Sequence, residues 1–365
     1  MNERAPEPTV DVLLVGVRST PGLRLADEQL ARSLERAGAR VAVTEAVPPR
    51  EVRTLALTDL LWARAARRAA REALRRFDQP RPPAVIYSTT TAALLWPLPG
   101  AIRFDAPAAA NRPGRHGLWQ RPLERRRLRH APLLLPWSEG GLAEARAAVP
   151  GCEARALVLS APVVLDAPPA DGEPILPMLA GATSERSAEA PGRDIAALTY
   201  AGNPHKKGFD RVLAAWRRAH QPGERLVVVG IARERLHDAG FELPDADIHV
   251  TGPISAAQLR GLLGRTRVFL CAPRREDYGL IQLEALAEGC RLVTTPAPGP
   301  YVALTIAREL DRRLVSEDLA VALRAALDTP TAGYATHAAR LVEPFGRAAI
   351  DRLVAEELLP RLLCR

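Results

Sequence analysis

The chain reads as an α/β protein made of two doubly wound parallel sheets joined by a linker, and three observations predict this. Short apolar runs alternate with longer amphipathic stretches in both halves, the strand–helix rhythm of a parallel sheet with helices on both faces. A length of 365 residues is long for one domain and comfortable for two. Residues 166–193 break the rhythm with a stretch rich in Pro, Ala, Gly, Ser and Glu, after which the alternation restarts. The expected organisation is a first unit over 1–165, a linker over 166–193, a second unit over 194–345, and a closing helix over 346–365 that packs back on the first unit. In such sheets ligands bind beyond the C-terminal ends of the strands, so a cleft between two such edges is the expected site.

In the first unit the apolar run Val10 to Val15 predicts a strand, followed by a turn-rich loop from Gly16 to Gly22. A helix is expected from about Ala26, with Leu30, Leu34 and Ala37 on one face and Gly38 at its end. Val41 to Val43 reads as the next strand and Leu55 to Phe77 as a long helix rich in Ala and Arg. Ala84 to Tyr87 predicts a strand, and Ser88 to Thr91 behind it is good helix-capping material. Ala101 to Phe104 and Leu133 to Leu135 predict two more short strands. In the second unit Ala196 to Tyr200, Leu226 to Val229, Ile248 to Thr251, Val268 to Cys271 and Leu292 to Thr294 read as strands. Between them Phe209 to Ala219, Ala256 to Leu263 and Leu283 to Ala287 read as helices. The last stretch, Arg347 to Leu363, carries Ile350, Leu353, Val354 and Leu358 as its apolar stripe.

Composition narrows the function classes. The formal net charge is +8, carried mostly by Arg on Ala-rich helical stretches, which reads first as a solvated face and second as attraction to anionic substrates or an anionic membrane surface. Aromatics make up only 4%, too few for a surface that stacks on bases, and no nucleic-acid motif is visible. The four cysteines, Cys152, Cys271, Cys290 and Cys364, form no C-x-x-C pair and no zinc spacing. This usage fits a reducing cytosol. No signal core and no window of 18 apolar residues is present, so the expectation is a cytoplasmic protein, with peripheral contact at the inner membrane face left open.

The most informative stretch is 264–299. Glu276 and Glu284 stand eight positions apart with Gly279 between them, so one carboxylate sits on a loop and the other inside the following helix, where both can face one cleft. The helix start between them offers unpaired N–H groups and a positive dipole end, which suit a phosphate. Gly279 lets a ligand approach the backbone. Upstream, Gly202-Asn203-Pro204-His205-Lys206-Lys207-Gly208 follows a strand and opens a helix. Two lysines at a helix start oppose the macrodipole, a conflict that a bound diphosphate would resolve.

These segments, in order, resemble the family 4 retaining glycosyltransferases of the GT-B fold. Tyr200 through Gly208 resembles that family's strand and basic loop, and Leu226 to Gly230 its next strand and glycine. Thr251-Gly252-Pro253-Ile254-Ser255 resembles the segment at the nucleotide base, and Glu276 to Gly289 the E-x7-E segment. The resemblance is strong over roughly 196–300 and weak in the N-terminal half, where fold order and the Gly22 loop agree. It implies two Rossmann-like domains facing a central cleft, the first for the acceptor and the second for the donor. It further implies Glu284 on both ribose hydroxyls, Glu276 near the transferred sugar, and backbone N–H groups of Tyr278, Gly279 and Leu280 toward sugar or phosphate. Lys207 would hold the diphosphate. Gly22, Asn203, Lys206, Gly230 and Ile254 complete the implied donor site. Where the family usually carries an Arg after the first glycine of the basic loop, this chain has Asn203, and Lys206 is the nearest substitute for its charge.

The implied activity is transfer of a hexosyl-type sugar from a nucleotide-diphosphate sugar to an acceptor hydroxyl, with retention, with the nucleotide sugar as co-substrate, no other cofactor and no nucleic-acid partner. Asp245-Ala246-Asp247 has a metal-binding D-x-D form, but it precedes a strand after Pro244 and reads as a solvated turn, so no metal is expected. On the acceptor side the candidates are Asp105, behind a short strand, the loop Ser19 to Gly22, and a basic region with Arg112, Arg115, His116, Trp119 and Arg125 to Arg127 that could meet a phosphate-bearing acceptor or lipid headgroups. The acceptor class stays open between small metabolite, lipid-linked and polymer molecules. The competing class is a degenerate GT-B chain that binds nucleotide sugar without transfer, favoured by Asn203. A basic nucleic-acid-binding protein, suggested by charge alone, comes third.

Overall fold

The computed structural model describes residues 9–17, 20–47, 54–112, 114–163, 192–243 and 246–364. Ser19, Asp245 and nearly all of the segment 166–193 lie outside them. The chain divides into two units, one comprising Met1–Pro162 with Phe345–Arg365 and the other Val163–Pro344. Among the described residues no helix is long and apolar enough to cross a membrane.

Five strands build the first sheet: β1 (Val12–Val17), β2 (Val41–Ala46), β3 (Ala84–Tyr87), β4 (Ala101–Phe104) and β5 (Leu134–Pro136). They lie in the order β2-β1-β3-β4-β5, all parallel. Both faces of β1 are apolar because both are covered. Leu13 and Val15 face one cluster with Ala66, Ala70 and Ala73 of the helix Leu55–Arg76. Val12 and Leu14 face the other, with Leu30 and Leu34 of the helix Pro21–Arg36 and with Ile350, Val354, Leu358 and Leu362 of the C-terminal helical segment. That last segment widens by one residue at Val354–Leu358, just before Pro360. Arg36 holds it with two bonds to Asp351, Nε to Oδ2 at 2.8 Å and Nη2 to Oδ1 at 2.7 Å.

The loop expected from Gly16 to Gly22 is shorter than the composition suggested. β1 runs on to Val17, and the helix starts at Pro21, with the Thr20 hydroxyl accepting the Leu23 N–H at 3.3 Å. Proline at the first helical position costs nothing, because that N–H has no intrahelical partner anyway. Gly22 therefore sits in the first turn of a helix.

The second sheet holds β6 (Ile195–Tyr200), β7 (Leu226–Val229), β8 (Ile248–Gly252), β9 (Thr266–Cys271) and β10 (Arg291–Thr294). Its order is β10-β9-β6-β7-β8, again all parallel. In each unit the chain winds away from its first strand on one side and then returns to the other. The crossover point lies between β1 and β3 in the first sheet and between β6 and β9 in the second. Loops leaving the C-terminal ends of two such strands diverge and leave a crevice, the preferred ligand position of a doubly wound sheet. Three helices outside the sequence expectations, Val302–Leu310, Leu319–Asp328 and Tyr334–Val342, complete this unit.

Candidate functional site

The crevice of the second unit is formed by the loops after β6 and β9. The first loop closes on itself. Asn203 accepts the Lys206 N–H on Oδ1 at 3.0 Å and the Lys207 N–H on its carbonyl at 2.9 Å. The Gly208 N–H reaches the His205 carbonyl at 3.2 Å and the Phe209 N–H reaches that of Pro204 at 2.9 Å. Gly208 has φ +64°, and a Cβ there would run into the Ala272 carbonyl, so the turn needs glycine. Arg274 fastens this loop to the next. Its N–H donates to the Lys206 carbonyl at 3.0 Å, and its guanidinium reaches the His205 carbonyl and grips Asp210.

With their backbone amides used inside the turn, the two lysines project as side chains toward two consecutive acids. Lys207 Nζ lies 2.6 Å from Glu276 Oε2, and Lys206 Nζ lies 3.2 Å from Asp277 Oδ2. Glu276 is buried, at 6% exposure, and Gln282 Nε2 donates to the same oxygen at 3.1 Å. Asp277 also accepts from Arg275 Nε at 2.8 Å. A buried carboxylate is tolerable only when paired and hydrogen-bonded, and both acids are.

The helix Leu280–Ala287 starts beside them. Gly279 precedes it with φ +89° and offers no side-chain cap. Among the described residues the N–H groups of Gly279, Leu280 and Ile281 make no hydrogen bond, so the positive end of the helix is open. The Tyr301 ring lies 2.8 Å from where a Cβ on Gly279 would sit. Its hydroxyl contacts Thr294 Oγ1 at 3.2 Å and Cys271 Sγ at 3.7 Å, forming a buried floor. Burial pushes both Tyr301 and Cys271 up, so both stay neutral.

Glu284 lies inside that helix, partly buried, and its carboxylate has no hydrogen bond or ion pair among the described residues. Burial first and the charge of Glu288 second push it up to about 7. Tyr200, at the end of β6, packs its ring against both Gly202 and Gly230, leaving no room for a Cβ at either position. Burial, then the charge of Glu284, raise its hydroxyl above the ordinary tyrosine value.

The structure thus brings Lys206, Lys207, Glu276, Tyr278, Gly279, Leu280 and Glu284 together on two loops and one helix start. Gly230 (φ +88°) and Ile254 lie on the neighbouring loops after β7 and β8, which are linked by the Gly230 N–H to the Gly252 carbonyl at 3.1 Å. Asn203 is exposed and its side-chain oxygen serves the turn. Gly22 and Asp105 belong to the first unit, Asp105 with Oδ1 accepting the Ala106 N–H at 2.8 Å. Much of the basic region of the first unit is engaged internally. Arg112 forks Asp59, Arg127 donates to the Leu94 carbonyl at 2.8 Å and stacks over Trp96, and Trp119 donates to the Ala56 carbonyl. Sequence reasoning passed over Asp277, Gln282, Tyr200 and Tyr301. Asp277 was visible as the second acid beside Glu276; the others became meaningful only through contacts. Among the described residues no group of three or more His, Cys, Asp or Glu side chains could hold a metal ion.

Residues 196–329 match the family described as glycosyl transferases group 1. No curated protein matches by sequence. Among solved structures the chain is similar to a sucrose-phosphate synthase from Thermosynechococcus elongatus (15% identity, TM-score 0.68, covering 98% of this chain and 100% of that one). It is also similar to WaaG, a glycosyltransferase involved in lipopolysaccharide biosynthesis (15% identity, TM-score 0.65, 95% and 99%). A third is HepE from Anabaena, solved in complex with UDP and glucose (15% identity, TM-score 0.61, 96% and 99%). With two parallel five-stranded sheets of Rossmann type, the chain has the GT-B fold, and its second unit carries the sequence pattern of the group 1 glycosyl transferases.

Proposed function

We propose that this chain transfers a hexosyl-type sugar from a nucleoside-diphosphate sugar to an acceptor hydroxyl, with retention of configuration. The observation that carries the reading is Glu284, a desolvated carboxylate without a partner among the described residues, on the same helix whose open N-terminus stands beside Lys206 and Lys207. Two carboxylate oxygens match a vicinal diol, which the ribose supplies. The amides of Gly279 to Ile281 and the two ammonium groups suit the diphosphate. Glu276 and Asp277 are left on the sugar side of the same loop.

In this reading the anomeric C–O bond to the diphosphate breaks while the acceptor oxygen bonds to the anomeric carbon on the same face. The electron pair of the broken bond leaves on the β-phosphate oxygen, and that oxygen takes the acceptor proton. Lys207 and the helix amides offset the charge that grows on the leaving group. Glu276, held by Lys207 and Gln282, orients the sugar and opposes positive charge at the ring, without forming an ester. The co-substrate is the nucleotide sugar, and the leaving group is stabilised by Lys207 and the amides.

The test is incubation with UDP-, GDP-, ADP- and TDP-sugars and a panel of hydroxyl-bearing acceptors, following release of nucleoside diphosphate and the anomeric configuration of the product by NMR. Diphosphate release with an α-linked product from an α-linked donor supports the reading; an inverted product removes retention. The 2.6 Å Lys207–Glu276 pair favours one competing reading, a binding protein whose lysine never leaves its acid. That reading predicts nucleotide binding without diphosphate release from any sugar donor.

A further inference from the structure

The first unit carries a cavity of its own at its crossover point, with a volume of about 250 Å³. It opens beyond the C-terminal ends of β1, β3 and β4, walled by Val17, Ser88 to Thr91, and Phe104 with Asp105. That volume equals roughly eight waters at liquid density and falls below the range of about 300–1,000 Å³ typical of drug-sized ligands. One six-membered ring with its substituents fits this space better than a chain of rings.

The wall has a definite chemistry. Trp62 lines it with a partly buried ring, and its indole N–H has no partner among the described residues. A flat apolar face beside hydroxyls and carboxylates is what the mixed C–H and O–H surface of a pyranose requires. Gln120 lines the cavity at 2% exposure, and its Oε1 is buried with no hydrogen-bond partner among the described residues. A small rotation of this amide would bring the unpaired acceptor to a ligand O–H or N–H. Among the described lining residues the charged groups are Asp59, Asp105 and Arg112, two acids to one base. The base is committed inward. Arg112 Nε lies 2.7 Å from Asp59 Oδ2 and Nη2 lies 3.1 Å from Oδ1, with Asp59 only 4% exposed. Freeing Arg112 for an anion would strand a buried carboxylate, which is strongly unfavourable.

We infer that this cavity binds a single sugar-like ring that is neutral or amino-bearing, and discriminates against rings carrying phosphate or carboxylate. Calling that ring the acceptor rests on the transferase reading above; the binding itself does not.

The experiment is saturation-transfer NMR on the full chain with glucose, galactose and mannose, their 2-amino derivatives, and their 6-phosphates. The neutral or amino sugars are expected to bind with a dissociation constant on the order of 1 mM, a net 4 kcal/mol, and the 6-phosphates at least tenfold more weakly. Trp62→Ala should weaken binding about tenfold, and Trp62→Phe, which keeps a ring and the fold, should retain most of it. Asp105→Asn should narrow the gap between neutral and phosphorylated sugars. Tightest binding by the 6-phosphates, no binding by any of the nine sugars, or an unchanged signal in Trp62→Ala would each overturn the inference. Nucleoside-diphosphate binding, read in parallel by thermal shift, separates the two readings. Nucleotide binding without sugar binding sinks the cavity alone; sugar binding without nucleotide binding supports the cavity and sinks the transferase.

Discussion

Replacing Glu284 with Gln should make the unliganded protein more stable and a worse nucleotide binder at the same time. Burial and the Glu288 charge raise this carboxyl from 4.5 to about 7. Between those two values the folded chain keeps a proton that the unfolded chain has lost, so stability falls as pH rises across the window and levels off above it. The full span of about 2.5 pH units corresponds to about 3 kcal/mol at 1.36 kcal/mol per unit. Glu284→Gln removes the ionisation while keeping shape and burial. The substitution should therefore stabilise by about 3 kcal/mol at pH 8 and by less than about 1 kcal/mol at pH 5, where the native carboxyl is already neutral. For a unit of this size that corresponds to a rise in melting temperature of roughly 5–10 °C at pH 8. Thermal unfolding at pH 5 and pH 8 with and without a nucleoside diphosphate reads both effects. In the wild type the nucleotide shift should strengthen as pH climbs toward 7, because binding favours the carboxylate and releases a proton. An equal stability change at both pH values would refute the reasoning, since it would mean that Glu284 ionises in the fold as freely as in water.

Lys207→Met should destabilise by about 3 kcal/mol in urea titrations by stranding buried Glu276, and adding Glu276→Gln should recover most of that loss without restoring diphosphate binding. If the double substitution is no more stable than the single one, the pair is not the cause. Gly230→Ala should cost about 1–3 kcal/mol, because φ +88° is strained for any L side chain and the Tyr200 ring fills the space; a melting temperature within a degree of wild type would show that the ring moves away freely.

Much of the fold was readable because the inner parallel strands are short and largely buried on both faces. Ala84–Tyr87, Ala101–Phe104 and Leu226–Val229 emerge with the bounds their apolar runs indicate. The segment after β1 departs from its turn-like composition because Pro21 and Gly22, ordinary turn residues, open a helix capped by Thr20. The helices between Val302 and Val342 lie outside the expectations although the sequence marks them: each is amphipathic, and Asp318 caps Leu319–Asp328. At the site, Glu276 and Glu284 stood out by spacing, and Lys206 and Lys207 by their place behind a strand. Two features could not be read from spacing. Asn203 serves the turn that aims the lysines, a role set by an oxygen 3.0 Å from one amide. The cavity of the first unit gathers Asp59, Trp62, Thr89, Asp105 and Gln120 from four separate segments, so no local pattern announces it.

The central claim is that Glu284 grips a ribose. Affinities of a nucleoside diphosphate and its 2′,3′-dideoxy analogue, measured by calorimetry on wild type and Glu284→Ala, test it directly. Two charge-assisted bonds at about 1.5–3 kcal/mol each predict at least a hundredfold preference for the ribose form in wild type and little preference in the variant. A preference that survives the loss of Glu284, or one that never existed, contradicts the account.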